Sequence, residues 1–145
     1  MSARKDFKPL SILHIEDDDN DALLLAKACE RAQLPVTIHR VKDGEQARAH
    51  LLQLQARSDR PLNPLPQIVV LDLKMPTMDG FEFLKWLRAE KDLALVPVLV
   101  FTTSAASDDK DRALSAGASS YFVKPASFDA LVRLVQHFQL PGTEN

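Results

Sequence analysis

Short apolar runs alternate along the chain with longer segments in which apolar residues recur at helical spacing. Two of the runs, IVVL at 68–71 and VLVF at 98–101, are apolar at every position. Such runs are typical of strands in a parallel sheet that is covered by helices on both faces. The whole pattern predicts five strands, at 11–15, 36–41, 68–71, 98–101 and 120–123.

The segments between these runs predict five helices. The first follows Asp18 and Asp19, either of which can act as its N-cap. The fifth has a continuous apolar stripe from Phe128 to Phe138 behind the helix-starting Ser127, and Pro141 with Gly142 ends the pattern. The other three are expected over 44–57, around 83–87, and from 107 to near Gly117.

Five strand-helix alternations predict an α/β fold, an open five-stranded parallel sheet with right-handed crossovers and helices on both faces. The proline-rich segment 57–67 is expected to form a long loop before the third strand. We expect one domain over 11–138, with an N-terminal extension at 1–10 and a C-terminal tail at 139–145.

Composition and charge exclude several classes of protein. The formal net charge is -2 and basic residues do not cluster, so neither nucleic acid nor an anionic membrane is an expected partner. The first ten residues lack an apolar run, which predicts a cytoplasmic protein without a signal peptide or membrane anchor. Cys29 is the only cysteine, which excludes an intrachain disulfide, and we expect it to be buried among apolar residues.

Reactive side chains follow four of the five predicted strands. Glu16 and Asp17 follow the first, Asp72 the third, Thr102 the fourth and Lys124 the fifth. Ligands of an open parallel sheet bind at the carboxyl ends of its strands. We therefore expect these groups to converge, although they are far apart in sequence.

Convergent carboxylates repel one another, and a divalent cation relieves that repulsion. Mg²⁺ is expected, since it prefers oxygen ligands and commonly binds one or two carboxylates plus a phosphate. Asp72 is then the expected nucleophile, because a carboxylate can form an aspartyl phosphate. Lys124 would pair with it at rest and with a phosphoryl oxygen afterwards, while the Thr102 hydroxyl would donate to another oxygen.

At these residues the sequence resembles receiver domains of bacterial response regulators, from residue 12 to about 138. ILHIEDD, VVLDLKMPTMDG, VLVFTTS and SYFVKP stand in that family's order and spacing. The resemblance implies a flavodoxin-like receiver fold in a two-component phosphorelay. It also implies that the chain is not an enzyme but a phosphoacceptor that assists its own phosphorylation and dephosphorylation.

The resemblance implies a role for individual residues at the metal site. Asp72 matches the phosphoacceptor, and Glu16 with Asp17 matches the acidic pair. Mg²⁺ would be held mainly by Asp17, Asp72 and the backbone carbonyl of Lys74. The family often has Asn at the position of Lys74, so the lysine is a departure from its pattern.

The resemblance also implies a switch and a surface. Thr102 matches the conserved hydroxyl, Tyr121 the switch aromatic and Lys124 the conserved lysine, whose bond to Pro125 is cis in the family. A half-buried sheet position is an equal alternative for Tyr121. Homodimers of the resembling regulators form through the fourth helix, fifth strand and fifth helix, and we expect the same here.

More narrowly, the sequence is similar to single-domain regulators that pair with phytochrome histidine kinases. The TTS after the fourth strand and the long loop before the third favour that group. A sensor histidine kinase of phytochrome type is therefore the expected partner.

Other interpretations explain fewer of these residues. A haloacid-dehalogenase-like phosphatase needs a second Asp where this chain has Lys74, and a receiver-like module that is not phosphorylated would not need the complete residue set. An EF-hand over the acidic run 17–21 lacks its glycine and closing glutamate, so Asp18, Asp19 and Asp21 are expected to form a helix N-terminus. His14 is expected to be a packed histidine rather than a zinc ligand.

Overall fold

The computed structural model describes residues 9–57, 65–74 and 79–138. Its strands are β1 Leu10–Ile15, β2 Val36–Val41, β3 Ile68–Leu71, β4 Val98–Thr102 and β5 Ser120–Val123. Its helices are α1 Asp19–Arg31, α2 Gly44–Ala56, α3 Gly80–Ala89, α4 Ser107–Ser115 and α5 Phe128–Val135. The predicted extension and tail, most of the proline-rich loop, and Pro141 with Gly142 lie largely or wholly outside these residues.

The strands form one parallel sheet in the order β2-β1-β3-β4-β5. Ile15 is in register with Leu71, so the residues that follow these strand ends are neighbours. Thr102 is in register with Val123, which places Lys124 immediately beyond the end of β4. The predicted parallel sheet is confirmed, and its register gathers the candidate residues at one edge.

The hydrophobic core has two halves, one on each face of the sheet. On one face, Leu13 and Leu71 belong to a buried cluster with residues of α2, α3 and α4. On the other, Ile12 and Val70 belong to a cluster with residues of α1 and α5. Neighbouring residues of a strand point to opposite faces, which is why continuously apolar strands suit this arrangement. Helices therefore cover both faces, as predicted.

Polar side chains fix the starts of four helices. Asp18, rather than Asp19, is the N-cap of α1, and its side chain accepts from the backbone N–H of Asp21 at 2.9 Å. Asp43 and Ser127 cap α2 and α5 in the same way. Such caps typically stabilise a protein by about 1 kcal/mol each. Asp79 and Glu82 form a reciprocal capping box at the start of α3.

Several predicted element bounds were wrong by one to three residues, and hydrogen bonds explain three of these differences. β1 begins one residue earlier, because the N–H of Leu10 donates to the carbonyl of Pro35 at 2.9 Å. β4 extends by one residue, to Thr102, whose carbonyl accepts from the N–H of Lys124 at 2.7 Å. α5 ends at Val135, three residues early, since the next turn is stabilised by bonds between residues three apart. Phe138 is nevertheless buried.

Two further expectations were tested. Cys29 is fully buried as predicted, and burial raises the pKa of its thiol to about 11, which makes it unreactive. The expectation of a cis Lys124–Pro125 bond was wrong, because every peptide bond among the described residues is trans, the form that is ordinarily lower in energy. None of the described helices is long and apolar enough to cross a membrane.

Candidate functional site

The carboxyl edge of the sheet brings Glu16, Asp72 and Lys124 into direct contact. The Lys124 ammonium lies 2.8 Å from Glu16 Oε1 and 3.2 Å from Asp72 Oδ2. Both carboxylates are buried, and Asp72 is only 7% exposed. A buried carboxylate requires a compensating charge or hydrogen bond, and the lysine supplies both to Glu16 and Asp72.

Glu16 is held by hydrogen bonds from Asp18 and Arg40 as well as by the lysine. Its Oε2 accepts from the N–H of Asp18 at 3.2 Å, and its carbonyl accepts from Arg40 Nε at 2.8 Å. Burial raises the pKa of Glu16 to about 7; the charge of Asp72 adds to this rise and Lys124 opposes it. Positive charge placed at this site, whether ammonium or metal, therefore favours the ionised form of Glu16.

Lys124 has a third partner that the sequence did not indicate. Asp21 Oδ2, from the first turn of α1, lies 2.9 Å from the ammonium. Burial alone would lower the pKa of Lys124, but the hydrogen bonds that its ammonium donates to Asp21 and Glu16 outweigh this effect and hold the pKa above its usual range. The lysine is therefore a permanent cation surrounded by three carboxylates.

The start of α3 lies close against the backbone of Asp72 and Leu73. Asp72 Oδ1 accepts from the N–H of Lys74 at 3.3 Å, and the N–H of Gly80 donates to the carbonyl of Leu73 at 2.9 Å. A Cβ atom at Gly80 would lie 2.7 Å from Leu73 Cα and 2.9 Å from the Asp72 carbonyl oxygen. Only glycine allows the helix to lie this close. In the sequence, the one sign of this requirement is the Asp79-Gly80 pair.

Carboxylate oxygens of Glu16, Asp17 and Asp72 lie within 4.8 Å of one another and could hold a divalent metal ion. Asp17 is exposed, whereas the other two are buried. Oxygen donors at this spacing suit a hard cation such as Mg²⁺. With Asp21, four carboxylates and one lysine lie at this edge of the sheet, so the residual negative charge also favours a cation. The Lys74 N–H contacts Asp72; the role of the Lys74 carbonyl as a metal ligand stays a prediction.

Thr102 and Tyr121 form a separate polar chain beside this cluster. Thr102 is fully buried, and its Oγ1 accepts from the N–H of Ser104 at 3.4 Å. The Tyr121 hydroxyl donates to the carbonyl of Ser104 at 2.9 Å, and its ring packs against the core as a half-buried residue. Among the described residues, no hydrogen bond joins Thr102 to Asp72.

The histidines do not form a metal site within the described residues. His14 is a packed side chain, as predicted: burial lowers its pKa to about 3, with smaller effects from Lys124 and Arg40. His39 stacks on His50 with ring centroids 3.9 Å apart, a contact between β2 and α2 that the sequence did not indicate.

Comparison with known proteins identifies relatives over most of the chain. The profile of the family described as response regulator receiver domain matches residues 12–136. The probable methanogenesis regulatory protein FilR2 of Methanothrix harundinacea is 37% identical over 90% of this chain and 82% of its own length. The response regulator Rcp1 of Synechocystis sp. is 30% identical over 88% of this chain and 85% of its own length.

Three solved structures resemble the fold closely. A response regulator in red light signaling of R. palustris has a TM-score of 0.81 and 32% identity, covering 94% of this chain and 96% of its own. The phosphorylated cyanobacterial phytochrome response regulator RcpA has a TM-score of 0.77 and 28% identity, covering 90% and 91%. The Mn²⁺-bound form of Rcp1 has a TM-score of 0.77 and 27% identity, covering 94% and 98%.

Proposed function

The chain belongs to the response regulator receiver domain family, and from this premise we propose that it accepts a phosphoryl group on Asp72 from a sensor histidine kinase. One observation carries the assignment to this residue. Asp72 Oδ2 lies 3.2 Å from the Lys124 ammonium, at the edge of the sheet where three carboxylates approach within 4.8 Å. A nucleophile, its counter-charge and oxygen ligands for a cation are therefore adjacent.

The proposed step is an in-line displacement at phosphorus. A carboxylate oxygen of Asp72 forms the new O–P bond as the P–N bond of the kinase phosphohistidine breaks. The electron pair of that bond returns to the imidazole nitrogen, which takes up a proton. Lys124, held in place by its other carboxylates, offers an N–H to a phosphoryl oxygen, and Thr102 is proposed to donate to another.

Glu16, Asp17 and Asp72, with the Lys74 carbonyl, are proposed to hold Mg²⁺. Such an ion supplies positive charge against the oxygens of the transferring phosphoryl group. The carboxylate spacing supports this role, and the Mn²⁺-bound form of Rcp1 supports a divalent cation in a similar protein. Without a cation, the incoming phosphoryl group would meet a buried group of like charges.

The proposed kinase is of phytochrome type and acts on this chain in the cytoplasm. Similarity to Rcp1, to RcpA and to the red-light regulator of R. palustris supports the pairing. The proposed output is a surface formed by α4, β5 and α5, through which two copies associate. Thr102 and Tyr121 are proposed as the switch, because the loop that both contact joins β4 to α4.

A Mg²⁺-dependent labelling experiment with acetyl phosphate tests the assignment of Asp72. We expect stoichiometric, acid-labile phosphate on the parent and none on Asp72→Asn. Asp43→Asn is the matched control, since it removes another aspartate charge but preserves an N-cap and should label normally. Phosphate label that persists on Asp72→Asn would contradict the assignment of Asp72 as the phosphoacceptor.

The same experiment separates the competing functions. Continuous release of phosphate, rather than stoichiometric label, would indicate a phosphatase, and no label would indicate a module that is not phosphorylated. The phosphatase is not favoured, because its general-acid aspartate is replaced by Lys74. Phosphotransfer profiling against the histidine kinases of the same cell tests the pairing: preferential transfer from a kinase other than a phytochrome would overturn it.

A further inference from the structure

Asp21 occupies an unusual position for a residue in the first turn of a helix. It lies 103 residues from Lys124 in sequence, yet its Oδ2 is 2.9 Å from the lysine ammonium. The neighbouring Asp19 pairs instead with Arg40 at 2.9 Å and is 77% exposed. The two aspartates of this turn therefore have different partners, and of the two only Asp21 contacts the site.

The local hydrogen bonds explain why Asp21 is free to do this. An acid three residues after an N-cap commonly turns back to accept from the N-cap N–H, as Glu82 does at Asp79. At Asp18 that N–H already donates to Glu16 Oε2 at 3.2 Å. The Asp21 carboxylate is thereby released from its usual capping role and turns towards Lys124.

The three N–H groups of the Lys124 ammonium meet three acceptors, at 2.8 Å from Glu16, 2.9 Å from Asp21 and 3.2 Å from Asp72. Glu16 and Asp72 also belong to the set of carboxylates that could hold a metal ion, whereas Asp21 does not. When a cation neutralises those two groups, their attraction for the ammonium falls. Of the three carboxylates that contact the lysine, only Asp21 is not a candidate metal ligand, so its attraction for the ammonium is kept.

We propose that Asp21 is a positioning residue that holds the Lys124 ammonium at Asp72 while the metal ion and the phosphoryl group occupy the other carboxylates. The inference rests on the proposed function and deepens it. Without Asp21, Lys124 keeps its charge but loses the contact that fixes its direction. Phosphorylation should then slow, although metal binding should not weaken.

The test compares Asp21→Asn with the parent in phosphorylation by acetyl phosphate at saturating Mg²⁺. We expect the rate to fall about five- to tenfold, the scale on which a charge-assisted hydrogen bond exceeds a neutral one. The Mg²⁺ dissociation constant, measured by titration calorimetry, should stay within about twofold of the parent's. Asp21→Glu should recover part of the rate, because it restores the carboxylate.

Asp19→Asn is the matched control, since it removes the same charge from the same turn without touching Lys124. Its phosphorylation rate should equal that of the parent. An equal loss of rate in both variants would show that only helix-terminal charge matters and would overturn the inference. An unchanged phosphorylation rate in Asp21→Asn would also overturn it. A large loss of Mg²⁺ affinity in Asp21→Asn would overturn it as well, because it would make Asp21 a metal ligand.

A second measurement does not depend on phosphorylation. Lysine ammonium groups held by hydrogen bonds exchange slowly enough to give ¹H–¹⁵N correlations, and the Lys124 signal is assigned by its loss in Lys124→Met. We expect this signal to persist in Asp19→Asn and to broaden or vanish in Asp21→Asn. If the parent takes no phosphate, the proposed function fails, and this signal still decides whether Asp21 holds Lys124.

Discussion

The hydroxyl of Tyr121 on β5 donates to the backbone carbonyl of Ser104 at 2.9 Å, in the loop that leaves β4. The N–H of the same Ser104 donates to Thr102 Oγ1 at 3.4 Å. One residue of the loop therefore joins Thr102 to Tyr121. A displacement of the threonine towards a phosphoryl group would disturb the contact that holds the tyrosine.

Tyr121→Phe should loosen this loop while leaving the core intact. The substitution removes one hydrogen bond, which typically contributes about 0.5 to 1.5 kcal/mol, but keeps the aromatic ring in its half-buried position. Amide exchange over 103–106 should become about two- to tenfold faster. Exchange in β1 is the internal control, and equal acceleration there would mean general destabilisation instead of a local contact.

The proposed α4–β5–α5 surface should associate more strongly in the activated state. Beryllofluoride with Mg²⁺ mimics phosphorylation, and a change at Tyr121 would alter this surface because β5 is the edge strand beside α4. We expect sedimentation to show a larger dimer fraction with beryllofluoride, and a smaller response in Tyr121→Ala. A parent that stays monomeric at high concentration in both states would exclude the dimer and leave a different partner as the output.

Asp17→Ala should weaken Mg²⁺ binding by about tenfold or more and slow phosphorylation accordingly. Asp17 is the exposed member of the three convergent carboxylates, so its removal takes away a ligand with little effect on the buried pair. Calorimetric titration with Mg²⁺ measures the effect, and Asp19→Ala serves as the charge control. Titration of Asp17→Ala with the parent's affinity would place the metal elsewhere.

His14 should make the protein less stable in acid. Burial lowers its pKa from 6.5 to about 3, so between these values the unfolded chain binds a proton that the folded chain does not. This contribution to the free energy of unfolding is complete above pH 6.5 and falls as the pH falls towards 3. Its slope is about 1.4 kcal/mol per pH unit in the middle of the range.

Urea unfolding of the parent and His14→Leu in EDTA, between pH 6 and 4, measures this slope. Glu16, whose raised pKa shifts stability in the opposite direction, is present in both proteins, so the difference between them isolates His14. The parent should lose stability relative to the variant as the pH falls. Parallel curves would mean that His14 is protonated without cost in the folded state.

The fold of this protein and the place of its candidate site follow largely from the sequence alone. Alternating apolar runs and helical stripes predict a parallel sheet, since strands that are apolar at every position, such as 68–71, are typical of a sheet covered by helices on both faces. The sheet then gathers its carboxyl ends, which is why residues as distant as Glu16, Asp72 and Lys124 could be predicted to meet. The exact ends of strands and helices do not follow from these patterns, because single hydrogen bonds decide them, as at Leu10 and Val135.

The tertiary structure decided which polar atoms pair with one another. The sequence assigned Asp21 to a helix N-terminus, and only the packing of α1 against the sheet edge turned its carboxylate to Lys124. The bond between Tyr121 and Ser104 likewise depends on the direction in which the loop leaves β4. Local sequence patterns determine the spacing of apolar residues and therefore the helices and strands. A contact between side chains 103 residues apart depends instead on side-chain rotamers, which are selected only when the fold is assembled.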